Sequence, residues 1–213
     1  MITLIHPSRS RPDKAYATAR KWIETAGTEV EYILSIDDND HLAMQYRGLF
    51  MSSFGRIVSH DNHSVVEATN IACKFAKGDI LLYLSDDFDC PKDWALAVEK
   101  EFENEDRPLL VKVDDCLQPF GVAVLTIPIM NRKLYERLGY FWHPGYKSMF
   151  VDEDLFWTCK KLGALKNAPH LKFPHNHVSI GKAADDETYR RSSANWEQGK
   201  ALFAKHKAAG FPV

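Results

Sequence analysis

Ile80-Leu81-Leu82-Tyr83-Leu84-Ser85-Asp86-Asp87-Phe88-Asp89 joins an apolar run to a cluster of acids. Ile80 to Leu84 has the length of a buried strand and is too short for a typical helix. Asp86, Asp87 and Asp89 then crowd three carboxylates into four positions. Their repulsion costs free energy unless a solvated turn or a cation relieves it. A hard divalent ion with oxygen ligands would do so, and such an ion also binds phosphates. The competing reading is a polar turn leading into a helix that begins near Pro91.

Upstream of this run the chain alternates strand and helix. Ile2 to Ile5 reads as a short strand stopped at Pro7, which cannot donate to a sheet ladder. The loop Pro7, Ser8, Arg9, Ser10, Arg11 is polar and cationic. Asp13 is placed to cap a helix whose apolar stripe is Ala15, Ala19, Trp22 and Ile23, with Gly27 after it. Val30 to Ile36 reads as a second strand, ending in Asp37-Asp38-Asn39-Asp40. A weaker helix over 41–50 and a short strand over 56–59 follow. Ser64-Val65-Val66-Glu67 is a capping-box pattern opening a helix that Gly78 is expected to close. Such alternation predicts a mostly parallel sheet with helices on both faces. Ligands of such sheets sit beyond the carboxyl ends of the strands. Loops 6–11, 37–40 and 85–89 all fall there, one cationic and two acidic. That edge suits a ligand with phosphates, a ribose or base, and a metal.

Composition is compatible with this picture. With 213 residues, 45% hydrophobic and 26% charged, the chain fits one globular domain with a full core. A formal net charge of −2 gives no support for a large nucleic-acid footprint, so a nucleic-acid acceptor is not favoured, though a local basic groove is compatible with it. The four cysteines form no CxxC pair, so neither a zinc knuckle nor a disulfide framework is expected, and a reduced, cytoplasmic protein is the simplest reading. No signal peptide, membrane span, repeat or low-complexity segment is visible.

From Asn70 through Ala76-Lys77-Gly78-Asp79, the apolar strand, Ser85-Asp86-Asp87, and then Pro91 and Trp94, the chain resembles GT-A glycosyltransferases, particularly the inverting family 2. The resemblance spans roughly residues 2–178. It implies a single GT-A-like domain over 1–213: a nucleotide-binding half (1–90), an acceptor and catalytic half (91–180) and a C-terminal lid or helix (181–213). It also implies a nucleoside diphosphate sugar donor, most often a UDP-sugar, and Mn2+ or Mg2+ as cofactor. The acceptor would be a glycan or another hydroxyl. By the same resemblance Asp37 or Asp38 would hold the base, Asp86 the ribose or phosphate side, and Asp87 the metal. Asp87-Phe88-Asp89 is itself a literal DxD, so Asp89 competes for the ion. Pro7, Ser8, Arg9, Arg11 and Asn70 complete the expected donor side.

The second half adds the remaining candidates. Pro91 and Trp94 open an expected helix running to about Asn104, and Leu109–Val113 and Val122–Ile127 read as strands. Asn131–Leu138 reads as a helix closed by Gly139. Tyr140 to Tyr146, with Trp142 and His143, is either packing beneath a loop or a wall for the acceptor, since sugars stack on aromatic faces. Val151-Asp152-Glu153-Asp154-Leu155 places acids at a helix start, where they favour the macrodipole. The resemblance places the general base in this trio through Glu153-Asp154, with Asp154 first and Glu153 second; a carboxylate can take the proton of an attacking hydroxyl. His175 and His177, at i and i+2 on an expected strand, share a face, and the resemblance makes one of them, His177 or His175, part of the metal or diphosphate site. Beyond Gly181, Lys182, Asp185, Asp186, Arg190 and Arg191 precede a helical stripe with Trp196, Leu202 and Phe203. This is a solvated helix or a lid whose Lys182, Arg190 or Arg191 meets the diphosphate. A sugar nucleotidyltransferase is disfavoured because no glycine follows the first strand before Gly27. A haloacid-type phosphatase would need its acidic motif after the first strand. A non-catalytic sugar- or nucleotide-binding module on the same fold is the main alternative.

Overall fold

β1 (Ile2–Pro7), β2 (Val30–Asp37), β3 (Arg56–His60) and β4 (Ile80–Tyr83) form on the apolar runs and pair in parallel. This is seen in a computed structural model that describes residues 1–51, 55–182 and 186–211; Asp185 lies outside them. β5 (Leu110–Asp114), β6 (Pro128–Asn131) and β7 (Leu165–Lys172) complete a seven-stranded sheet of order β3-β2-β1-β4-β6-β5-β7. β6 is antiparallel to both neighbours, so it is the one reversed strand in an otherwise parallel sheet.

The helices are α1 (Pro12–Glu24), α2 (Ala43–Phe50), α3 (Val65–Cys73), α4 (Trp94–Phe102), α5 (Arg132–Leu138), α6 (Val151–Lys161), α7 (Glu187–Ser193) and α8 (Trp196–Ala208). Successive strand residues point to opposite faces, so each strand feeds two cores. Leu4, Leu34, Leu82 and Val111 pack with α1, α2 and α4, while Ile5, Ile33, Leu81 and Leu110 pack with α3, α5 and α6. In the first core Trp22 stacks on Phe173 at 5.4 Å and lies 4.9 Å from Trp94. Trp22 also donates from Nε1 to the Phe88 carbonyl at 3.2 Å, so this aromatic group fixes the acidic turn after β4 as well as filling space. Truncating such a residue costs about 3–5 kcal/mol.

Several local expectations change. Asp13 does not cap α1: the helix starts at Pro12 behind Arg11 with no side-chain cap, and Asp13 lies in its first turn. Gly78 does not close α3, which ends at Cys73; it sits where a Cβ would fall 2.6 Å from Thr3 Oγ1 and 2.8 Å from the Met1 carbonyl, so the chain can pass β1 there only without a side chain. α4 starts at Trp94, three residues after Pro91, behind a left-handed Asp93. Val122–Ile127 is a loop rather than a strand; the buried Lys112 ammonium donates to the Val122 carbonyl and lies over the Phe120 ring. The strand comes next, at Pro128, where the first position tolerates a residue that cannot donate. Residues 173–177 are not a strand either: an isolated bridge, Phe88 to His175, ties them to the turn after β4, and the Phe173 and His175 amides donate to the Asp114 and Asp115 carbonyls at the end of β5.

Candidate active site

The loops after β1, β2 and β4 meet at one edge of the sheet and are tied to each other. Arg9 donates to Asp37 and, at 2.8 Å, to Asn39. The buried Asp40 accepts the Ser10 amide at 2.6 Å and the Leu42 amide at 3.0 Å, so it shapes its loop. Asp38 turns outward to Ser59 and Arg47. Asp86 is consumed by protein: its carboxylate bonds His6 Nε2 at 2.9 Å and Ser8 Oγ at 3.0 Å, and Arg11 lies 3.9 Å away. His6 and Ser8 reach in turn to the Tyr32 and Tyr46 hydroxyls, both at 2.7 Å. Asp86 therefore stitches β4 to β1 beneath the edge.

Asp87 is different. Segment 173–177 runs beside the acidic turn, with the Asp89 amide donating to the Pro174 carbonyl and the Asn176 amide to the Asp87 carbonyl, each at 2.8 Å. That pairing brings the two histidines to the carboxylate. His175 Nε2 lies 3.3 Å from Asp87 Oδ2, and the Tyr189 hydroxyl donates to the same oxygen at 2.5 Å. Burial by itself would raise the Asp87 pKa; the hydrogen bond and charge of His175 and the Tyr189 bond outweigh it and hold the carboxyl well below the usual range. Asp87 Oδ1 is buried and has no hydrogen-bond partner. An ionised oxygen left unsatisfied in this way fits a divalent ion. Among the described residues no three His, Cys, Asp or Glu side chains converge as a ready-made metal cage. This also fits, because Mg2+-type sites use one or two carboxylates and complete the shell with water and substrate phosphates. Asp89 faces the other way, toward Lys21 and the Cys90 amide.

A cleft of about 370 Å³ opens on this edge. Of the residues singled out in the sequence, Pro7, Ser8, Arg9, Arg11, Asp37, Asp86, Asp87, Trp142, His177 and Arg191 line it, as does His175. Asp38, Asn70, Asp89, His143, Glu153, Asp154, Lys182 and Arg190 do not. Asn70 clamps the chain instead: its Oδ1 accepts the amides of Phe141 and Trp142 at 3.0 and 2.9 Å, and its Nδ2 donates to the Trp142 carbonyl at 2.7 Å. Trp142 is buried, its ring packed at a steep angle against Tyr83 with centroids 5.4 Å apart.

The acids that open α6 divide in the same way. Asp154 is buried, and its Oδ2 accepts the Tyr146 hydroxyl at 2.9 Å and pairs with His206 Nδ1 of α8 at 2.7 Å. His143 stacks edge-on against His206, with ring centroids 4.6 Å apart, in this sealed group. Asp152, two residues earlier, lines the cleft. Burial raises the Asp152 pKa, backbone N–H bonds partly offset this, and the Asp115 charge adds to it. Residues 147–150 form the adjoining wall, with Lys147 exposed. That wall is set by α8: a Cβ at Gly199 would fall 2.3 Å from the Met149 carbonyl, and Trp196 lies 4.8 Å from Phe150.

Sequence reading missed Asp152, Lys147 and Tyr189 as cleft residues. The acidic trio at 152–154 was visible, but helical neighbours two apart point to different sides, and only the position of α8 shows which side is sealed. Tyr189 gave no signal; it is a lone tyrosine on a short, polar helix.

Fold and site together define the GT-A glycosyltransferase fold: a mostly parallel sheet, helices on both faces, and an acidic strand end at a cleft on the carboxyl edge. Among solved structures, the chain is similar to a mannosyltransferase of Pyrobaculum calidifontis in complex with GDP-Man and Mn2+, with a TM-score of 0.67 at 13% identity, covering 98% of this chain and 75% of that one. It is also similar to glucosyl-3-phosphoglycerate synthase of Mycobacterium tuberculosis in complex with Mn2+, UDP and phosphoglyceric acid, with a TM-score of 0.60, 16% identity, and 92% and 76% coverage. A third is S. aureus TarS in complex with UDP-GlcNAc, with a TM-score of 0.60, 12% identity, and 97% and 72% coverage. No protein-family model and no curated protein matches the sequence. No helix among the described residues is long and apolar enough to cross a membrane.

Proposed function

We propose that the chain is a metal-dependent glycosyltransferase that moves a sugar from a nucleoside diphosphate sugar to an acceptor hydroxyl with inversion. The observation that carries this reading is the cleft itself. It holds a buried, ionised carboxylate with a partnerless oxygen, Asp87, and a second carboxylate of raised pKa, Asp152. The printed ligands of the similar structures, GDP-Man with Mn2+, UDP with Mn2+ and UDP-GlcNAc, support a nucleotide-sugar donor.

In this reading Asp87 anchors Mn2+ or Mg2+, which when bound would neutralise the leaving diphosphate. His177 has a related role. Its Nδ1 accepts the Ser179 amide, so the neutral ring carries its proton on Nε2 and suits a phosphate oxygen better than a cation. Arg9 and Arg11 supply charge on the same side, and Asp37 lies beside them for the nucleoside. The role of base, expected at Asp154, passes to Asp152, because Asp154 is enclosed with Tyr146 and His206 away from the cleft. Asp152 accepts the acceptor's hydroxyl proton as that oxygen attacks the anomeric carbon; the bond to the diphosphate breaks, and its electron pair leaves on the diphosphate oxygen. A raised pKa makes Asp152 a stronger base than an ordinary aspartate.

A thermal-shift screen of nucleoside diphosphates and their sugars, with and without Mn2+, tests the reading. Stabilisation by at least one nucleotide, dependent on Mn2+, is expected. No response to any of them would overturn it. Slow release of free sugar from a bound donor separates an enzyme from a binding module.

A further inference from the structure

Asp87, assigned above to the metal, and Arg11, one of the two arginines that supply charge on the donor side, are both engaged by one short helix. Asp186 grips Arg11 from both sides, with Nε to Oδ2 at 2.6 Å and Nη2 to Oδ1 at 2.5 Å. The Arg11 guanidinium lies 4.6 Å from the Tyr189 ring centroid, and the Tyr189 hydroxyl is the 2.5 Å donor on Asp87. Between them, Thr188 Oγ1 donates to the Arg9 carbonyl at 3.1 Å. So α7 bridges the β1 loop and the β4 acidic turn across the mouth of the cleft. Its groups are of the kinds the donor would bring: an anion on the arginine fork, and a polar contact on the carboxylate.

We infer that α7 is a self-plug: Asp186 occupies the diphosphate's place on Arg11, Tyr189 ties up the second carboxylate oxygen of Asp87, Oδ2, and donor binding must lift α7 away. This inference rests on the glycosyltransferase reading. A carboxylate and a diphosphate cannot share one arginine fork, and Arg11 has only 8% of its side chain exposed, so it has no room to serve both. Apparent donor affinity is then reduced by the fraction of molecules with α7 lifted. Weakening the plug must therefore tighten binding, the reverse of what loss of a ligand-contacting residue would do.

Two substitutions isolate the effect without unfolding the helix. Asp186→Asn keeps the N-cap, because the side chain also accepts the amides of Thr188 and Tyr189 at 3.0 and 3.2 Å and Asn caps as well as Asp. Tyr189→Phe keeps the ring beside Arg11 and removes only the hydroxyl. Calorimetric titration of each full chain uses Mn2+ alone, and UDP and GDP each with Mn2+. The plug predicts roughly tenfold tighter nucleotide binding for Asp186→Asn, and tighter Mn2+ binding for Tyr189→Phe. Hydrogen exchange should also rise over residues 186–195 in both variants without ligand. If the wild-type chain binds nucleotide and both variants bind equally or more weakly, the plug is overturned and the glycosyltransferase reading stands. If neither wild type nor variants bind any nucleotide, both readings fall.

Discussion

Asp154→Asn separates the sealed carboxylate from the one in the cleft. In the folded chain Asp154 accepts from Tyr146 and pairs with His206, and the two members of the His206 pair keep only 11% and 4% of their side chains exposed. Burial at that level leaves little screening by solvent, so the usual discount for surface pairs does not apply. Both bonds fall on Oδ2, so an amide that places its oxygen there still accepts from both partners but carries no charge. Turning two buried charge-assisted bonds into neutral ones costs about 1–1.5 kcal/mol each, roughly 2–3 kcal/mol together. In a chain of this size each kcal/mol moves Tm by about 2–4 °C, so the midpoint should fall by about 5–10 °C. Turnover of the folded fraction, assayed well below the new midpoint, should stay within a few-fold of wild type. Asp152→Asn should do the opposite. Its raised pKa means that the folded state disfavours the ionised carboxylate, so a neutral amide leaves Tm unchanged or higher. Removing the base should lower kcat by roughly 10²- to 10⁴-fold. Calorimetric scans and steady-state assays on both variants make the comparison. An Asp154→Asn enzyme with native Tm and a hundredfold loss of turnover would refute the assignment of the base to Asp152.

Three further outcomes are expected. Because the Asp152 pKa is raised, the acid limb of kcat/KM should lie above the ordinary aspartate range, with activity rising as pH rises through it; a limb at the ordinary value would contradict the assignment. Asn70→Ala should lower Tm while leaving the donor's binding constant unchanged within about threefold, since it strands two amides and a carbonyl of the 141–142 turn at about 1–3 kcal/mol for each group left unpaired; a calorimetric loss of donor affinity with native Tm would make Asn70 a ligand residue. Gly78→Ala should lower the urea midpoint, because the added methyl meets not only the Thr3 hydroxyl but also backbone of Met1 and Thr3 at 2.8 Å, which cannot rotate away; an unchanged midpoint would show that this contact yields.

The first half of the fold was legible because its strands are continuous apolar runs cut off by polar loops, and parallel strands buried on both faces write themselves that way. Beyond Asp89 the pattern thins. β7 buries only Ala168 and Leu171 along Leu165–Lys172 and carries Pro169, the mark of an edge strand, so it lacks the apolar continuity that reveals β4. Val122–Ile127 has strand composition but is held in a loop by Lys112, a contact that local composition does not encode. In the site, the polar loops could be placed at one edge from the alternation alone. Which of their acids remain open to a ligand could not, because that depends on partners far away in sequence: His6 and Ser8 for Asp86, Lys21 for Asp89, and His206 for Asp154.

Anomalous scattering from Mn2+ in crystals grown with a nucleoside diphosphate tests the central claim most directly. The account predicts one peak bonded to the Asp87 carboxylate at about 2.1 Å, with phosphate oxygens completing the shell and Asp89 taking no part. A peak on Asp89, or nucleotide bound away from the Asp87 edge of the cleft, would contradict it.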